Sequence, residues 1–165
     1  MKKIIIISII IISLISIAFI IKKTQNKQEI IEEVVDKNFS VTIPEDYIEL
    51  YKNETYYYIP KIDPTGNSGS ITIYSYESDI EYSKDFLDSL ATDFKEKYNY
   101  KINTKKHYKT PYYDAAYFEL QFNKYNEIIY YILTGSEVFI IEALDYGLYP
   151  NIQKDLKTIV DSILI

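Results

Sequence analysis

Beyond residue 38 the apolar positions change period along the chain, and the periods predict strands, a helix, more strands and a last helix. Phe39-Ser40-Val41-Thr42-Ile43 alternates as a strand does and stops at the turn signal Pro44-Glu45-Asp46. Tyr56 to Ile59 and Ile71 to Tyr76 read as two further strands, joined as a hairpin across the loop Asp63-Pro64-Thr65-Gly66-Asn67-Ser68-Gly69. From about Ser83 to Tyr98 the period becomes helical. Phe86, Leu87, Leu90, Phe94 and Tyr98 form one stripe, Ser83 stands at the cap position, and Asp85 lies near the positive end of the dipole.

Strands are expected again over Lys101 to Tyr108, Tyr113 to Phe122 and Ile128 to Thr134, and Gly135-Ser136 turns the chain into a last one, Val138 to Leu144. In the second of these, Ala116, Phe118, Leu120 and Phe122 point one way while Tyr117, Glu119 and Gln121 point the other, the pattern of a half-buried antiparallel strand. Pro150 opens a C-terminal helix whose stripe is Ile152, Leu156, Ile159, Val160 and Ile163. Strands, helix, strands, helix in that order describe an α+β domain, an antiparallel sheet with helices packed on it.

The N-terminal end follows a different rule. Ile4 to Ile21 carries no charge and lies between Lys2-Lys3 and Lys22-Lys23, and 18 residues as a helix span about 27 Å, close to a bilayer's hydrocarbon thickness. Residues 1–23 are therefore expected to anchor the chain as one transmembrane helix. The alternative is a signal peptide cleaved near Ala18, in Ser16-Ile17-Ala18, with secretion of the rest. Lysines flank both ends almost equally, so charge hardly sets the orientation, and the export-like layout places the domain outside the cytoplasm. Residues 24–37 read as a polar stalk turning helical at Glu29-Ile30-Ile31-Glu32-Glu33-Val34-Val35, and residues 38–165 as a single domain.

Several segments of that domain together resemble the PsbP-like family, which shares its fold with an extrinsic subunit of photosystem II and a small Ran-binding protein. They are Phe39-Ser40-Val41-Thr42-Ile43-Pro44 with Tyr47, Tyr113-Asp114-Ala115-Ala116, the strand from Tyr131 to Thr134, and Ile159-Val160-Asp161-Ser162-Ile163. The family usually carries an aromatic, often Trp, at the position of Tyr47. The resemblance implies a central antiparallel sheet of about six strands flanked by helices. It implies an accessory or binding role rather than an activity.

Charge and composition narrow the function classes. The chain after Lys27 carries 13 Lys against 24 acids, a net charge of −11, which argues against nucleic acid and against adsorption to anionic lipid. Cysteine is absent, which excludes disulfides and thiolate metal sites. All 18 basic residues are Lys, beside 31 Ile and 19 Tyr, the bias of A/T-rich codons, so the tyrosines do not by themselves mark a recognition surface.

Candidate chemistry is sparse. His107, the single histidine, sits in the Lys-rich run Lys105-Lys106-His107-Tyr108-Lys109 and reads as an exposed edge residue, because a catalytic role needs a buried carboxylate partner. Gly66-Asn67-Ser68-Gly69-Ser70 lacks both the spacing and the strand-to-helix setting of a nucleophile elbow, and no Lys-Ser/Thr follows to make a phosphate loop. Glu77, Asp79 and Glu81 are weak candidates for calcium, without the ligand order of a calcium loop.

No catalytic residue, cofactor or metal is expected. The face bearing Tyr117, Glu119 and Gln121, and the loop at Gly66 and Asn67, are the expected contact surfaces. The sequence thus favours a membrane-tethered, extracytoplasmic accessory or binding module, not an enzyme, monomeric as an isolated domain, with a protein or envelope component as partner. The alternatives are an envelope hydrolase using carboxylates and a structural or signalling domain without its own ligand.

Overall fold

The computed structural model describes residues 30–35, 39–52 and 55–164; the expected anchor and cleavage site lie outside them. Eleven elements follow in order: β1 (Ile30–Val35), β2 (Phe39–Pro44), β3 (Tyr47–Lys52), β4 (Thr55–Pro60), β5 (Gly69–Glu77), α1 (Lys84–Glu96), β6 (Lys101–Lys109), β7 (Asp114–Phe122), β8 (Tyr125–Leu133), β9 (Glu137–Asp145) and α2 (Ile152–Asp161). β3 to β9 form one sheet of seven strands in the order β3-β4-β5-β9-β8-β7-β6, with every neighbouring pair antiparallel. β1 and β2 pair as a separate two-stranded sheet.

Two expectations need correction. The stretch from Ile30 to Val35 is a strand and not a helical stalk. Four of its six residues are Ile or Val, whose branched side chains are restricted in a helix and suit a pleated strand. The main sheet also has seven strands rather than about six. Its additional member is β3, whose Tyr47-Ile48-Glu49-Leu50-Tyr51-Lys52 pairs in register with β4 from Tyr47↔Pro60 to Lys52↔Thr55. The other strands and both helices lie where the periods placed them. Ser83 caps α1 as expected, its Oγ accepting from the Phe86 N–H at 3.0 Å. The β7–β8 hairpin closes through Asn123, which takes a left-handed φ of 53°, tolerable for Asn.

Each face of the sheet carries its own core. On one side Tyr58, Ile71, Ile73, Tyr117, Tyr130, Phe139 and Ile141 pack against the α2 stripe. Ile152, Leu156, Ile159, Val160 and Ile163 are all at most 1% exposed. β2 closes the far side of α2: Val41 and Ile43 join this core, and the Thr42 N–H donates to Ser162 Oγ at 2.9 Å. On the other side Leu87, Ala91 and Phe94 of α1 pack on Ala116, Phe118, Leu120, Ile129 and Ile140. β7 is thus buried on both faces, contrary to the half-buried strand its alternation suggested.

The edge strand β6 carries Lys101, Lys105, Lys106 and Lys109, charges of the kind that discourage edge-to-edge pairing.

Candidate functional site

Along β8 and β9, two acids interrupt otherwise apolar strands. The register pairs Glu127 with Leu144 and Ile129 with Glu142, so the two glutamates stand diagonally on adjacent strands of the α1-side face. The same face receives Thr72 beside Glu142 through the β5–β9 pairing. Tyr74 and Tyr131 come one row further along, on either side of Ile140.

Helix α1 reaches only part of this face. Phe86 and Phe94 meet the Tyr131 ring edge-on or tilted at 6.4 Å, and past Tyr131 the cover thins. Thr72, Tyr74 and Glu142 are half-buried, while Tyr76 and Leu50 are 44% and 46% exposed. The half of the face over β9, β5, β4 and β3 is therefore the less covered one, and the acid pair lies at its inner border.

Glu127 is 6% exposed and accepts from the Tyr100 hydroxyl at 2.5 Å. Burial raises the pKa of its carboxyl, and the Tyr100 hydrogen bond works against that rise. Burial, and secondarily the charge of Glu127, pushes Glu142 up to about 7. Burial, and then the two glutamates, pushes the Tyr74 hydroxyl up to about 12; burial, and then Tyr74 and Glu142, raises Tyr131 as well. Among the described residues no donor reaches Glu142, and the hydroxyls of Tyr74 and Tyr131 have no hydrogen-bond partner. Three polar tips thus lie within electrostatic reach of one another, unengaged, beside a buried carboxylate.

A second feature, which shares Glu127, is a cleft of about 210 Å³ lined by Asn103, Glu119, Leu120, Asn126, Glu127, Ile128 and Gln153. The β6–β7 register shifts between Ile102 and Thr104, leaving Asn103 out of the ladder. Glu119 is held ionised by donors from Tyr117 and from Thr104, the latter at 2.7 Å. Gln153 donates to Asp145 at 3.3 Å.

The residues expected to form a contact surface are dispersed. Tyr117 is 6% exposed, its ring 4.8 Å from Tyr130 and its hydroxyl donating to Glu119, so it belongs to the α2-side core. The correction has a simple cause: alternation placed it opposite Phe118 correctly, but that opposite face is covered by α2. Glu119 lines the cleft and Gln121 is half-buried, paired with Lys101 in the β6–β7 ladder.

Gly66 and Asn67 lie in the β4–β5 loop, which Asp63 organises by accepting from Thr65 N–H at 3.1 Å and from Thr65 Oγ1. Gly66 takes a φ of +74°. Glu77 ends β5 at the sheet rim, and Asp79 and Glu81 follow on exposed chain. Among the described residues no three His, Cys, Asp or Glu side chains come together as a metal site. His107 does have a carboxylate, Asp114 at 2.6 Å, and the Tyr82 ring stacks on it at 3.9 Å. Both members are more than a third exposed, the setting of a surface pair and not of a catalytic dyad.

The sequence did carry a signal for the glutamates that was not used: a charged residue inside the apolar runs of Glu127-Ile128-Ile129 and Ile140-Ile141-Glu142-Ala143.

No family model and no curated protein matches the chain. Among solved structures, a crystal structure of a Bacteroides thetaiotaomicron VPI-5482 protein at 1.50 Å resolution is similar in fold. Its TM-score is 0.55 at 18% identity, over 76% of this chain and 44% of that one. The chain therefore spans less than half the length of that protein, and the likeness is one of fold alone.

Proposed function

We propose that this is a binding module tethered to a membrane by Ile4 to Ile21, displayed outside the cytoplasm, and that its ligand seats on the less covered half of the α1-side face. The observation that carries the reading is the trio of unengaged polar tips, Tyr74, Tyr131 and Glu142, beside the buried Glu127. These tips are only half-buried, so a ligand seated on them would exchange their solvent contacts for direct hydrogen bonds. The sheet-and-helix architecture is also what the PsbP-like resemblance implies, and that resemblance favours an accessory role. Among the described residues no helix is long and apolar enough to cross a membrane, so the tether reading rests on the N-terminal sequence.

The test is photocrosslinking in intact membranes. A photoreactive amino acid replaces Tyr76, at the rim of the face, or Tyr112, 74% exposed in the β6–β7 turn. A discrete adduct from position 76 and none from 112 supports the site. Equal adducts, or none at 76, would refute it.

One observation favours a second reading. Two neighbouring carboxylates, of which Glu142 titrates near 7, offer the protonated and ionised pair that an acid–base hydrolase requires. Turnover of a glycan or peptide substrate that is lost in Glu142→Gln would establish that reading in place of simple binding.

A further inference from the structure

We infer that the end of the sheet carrying Ile62 and Leu148 rests on the bilayer that holds the tether, with both side chains dipping among the lipid headgroups. The inference rests on the reading of Ile4 to Ile21 as a membrane tether, and goes beyond it by naming the surface of the domain that meets lipid.

The first argument is where the tethered chain enters the fold. Only residues 36–38 join β1 to β2, far too few for a parallel crossover, so the pair is a hairpin and Ile30 returns to the Pro44 end of β2. After the turn Glu45-Asp46, Tyr47 opens β3 opposite Pro60, and the Lys61 N–H donates to the Asp46 carbonyl at 2.7 Å. The chain therefore enters the domain beside the β4–β5 loop. Six residues separate Lys23 from Ile30, which keeps the entry point within about 25 Å of the membrane surface. The nine-residue strands β5 to β9 span about 30 Å, so the β6–β7 turn lies at the remote end.

The second argument is what this end displays. Ile62 and Leu148 are 82% and 70% exposed, the two most exposed aliphatic side chains among the described residues. They belong to different loops, yet both flank Tyr47. Ile62 follows the ladder partner of Tyr47, Pro60, by two residues. Leu148 precedes Tyr149, whose ring meets the Tyr47 ring edge-on at 5.9 Å. Tyr146 stands exposed in the same loop as Leu148, and aliphatic tips beside an amphipathic ring suit the boundary between water and hydrocarbon.

The third argument is charge. The domain as a whole is acidic, but in the connections at this end Glu45, Asp46 and Asp63 are matched by Lys61, Lys97 and Lys124. The connections at the opposite end of the sheet hold Glu54, Asp79 and Glu81 and no lysine. The balanced end approaches a headgroup layer without the repulsion that an anionic surface exerts on the other.

The test is fluorescence of the full chain in nanodiscs of neutral lipid. The chain contains no tryptophan, so Ile62→Trp, Leu148→Trp and Tyr112→Trp, all at exposed positions, each introduce a single reporter. Each variant should melt as cooperatively as the parent and co-elute with the discs. With lipids brominated high on their acyl chains, the reporters at 62 and 148 should lose about half of their emission, because tips seated about 5–10 Å into the headgroup and acyl boundary reach the bromines. The reporter at 112 should keep its emission. If the protein co-elutes with the discs but quenching is absent at 62 or at 148, or is as strong at 112, the inference is overturned and the tether stands. Failure to co-elute removes the tether and this inference with it.

Discussion

Replacing Glu142 by Gln should stabilise the domain at alkaline pH and leave it nearly unchanged in acid. The folded state raises this carboxyl from 4.5 to about 7, mainly by burial and then by the charge of Glu127. A group whose folded pKa exceeds its unfolded value binds its proton more tightly when folded. Its favourable contribution is complete below about pH 4.5 and is lost as pH rises through about 7. The size follows from about 1.4 kcal/mol per pH unit, giving roughly 3 kcal/mol between pH 4.5 and pH 8. At about 3 °C of Tm per kcal/mol for a chain of this length, the variant should melt about 10 °C above the parent at pH 8. The assay is thermal unfolding of both proteins by circular dichroism from pH 4.5 to pH 8.5, because the difference in Tm cancels every other titrating group. A difference that does not grow with pH would refute the reasoning, since it would show that Glu142 has the same pKa folded and unfolded.

Three further outcomes can be checked by urea denaturation or melting. Leu156→Ala or Ile159→Ala removes a fully buried side chain between the sheet and β2, and should cost about 2–5 kcal/mol; a loss below about 1 kcal/mol would mean the helix face is wrong. Tyr117→Ser should destabilise by several kcal/mol rather than leave the melt unmoved, because the ring packs on Tyr130 and fills the α2-side core. Gly69→Ala should be among the most damaging single-methyl additions. At a φ of +144°, its Cβ would sit 2.6 Å from both the Leu144 carbonyl oxygen and Ile152 Cδ1, and an unchanged midpoint would contradict that packing.

The sequence by itself determined the elements whose apolar residues recur with one clean period. The α2 stripe from Ile152 to Ile163 was legible because a helix repeats its buried face every 3.6 residues, and all five members are buried. The alternation in β7 also sorted its residues onto the correct two faces. Alternation says which side chains share a face, however, and not whether anything covers it. Only the packing of α2 and β2 decided that Tyr117 is core, and only the position of α1 near the β6 side left Tyr74, Tyr76 and Glu142 partly open.

β3 escaped the sequence reading because its apolar residues, Tyr47, Ile48, Leu50 and Tyr51, fall on both faces and show no period. The Ile30–Val35 strand escaped it because local spacing there resembles a helix, while its branched side chains and its pairing with β2 favour extension.

The candidate site depends on tertiary structure most of all. Glu127 and Glu142 stand on consecutive strands, and it is the β8–β9 register that sets them diagonally side by side. Tyr74 reaches them because β5, separated from β9 by three intervening strands and a helix in sequence, is its neighbour in the sheet. Strand order is fixed by which pairings bury the most apolar surface across the whole chain. That quantity is global, and no local window of residues contains it.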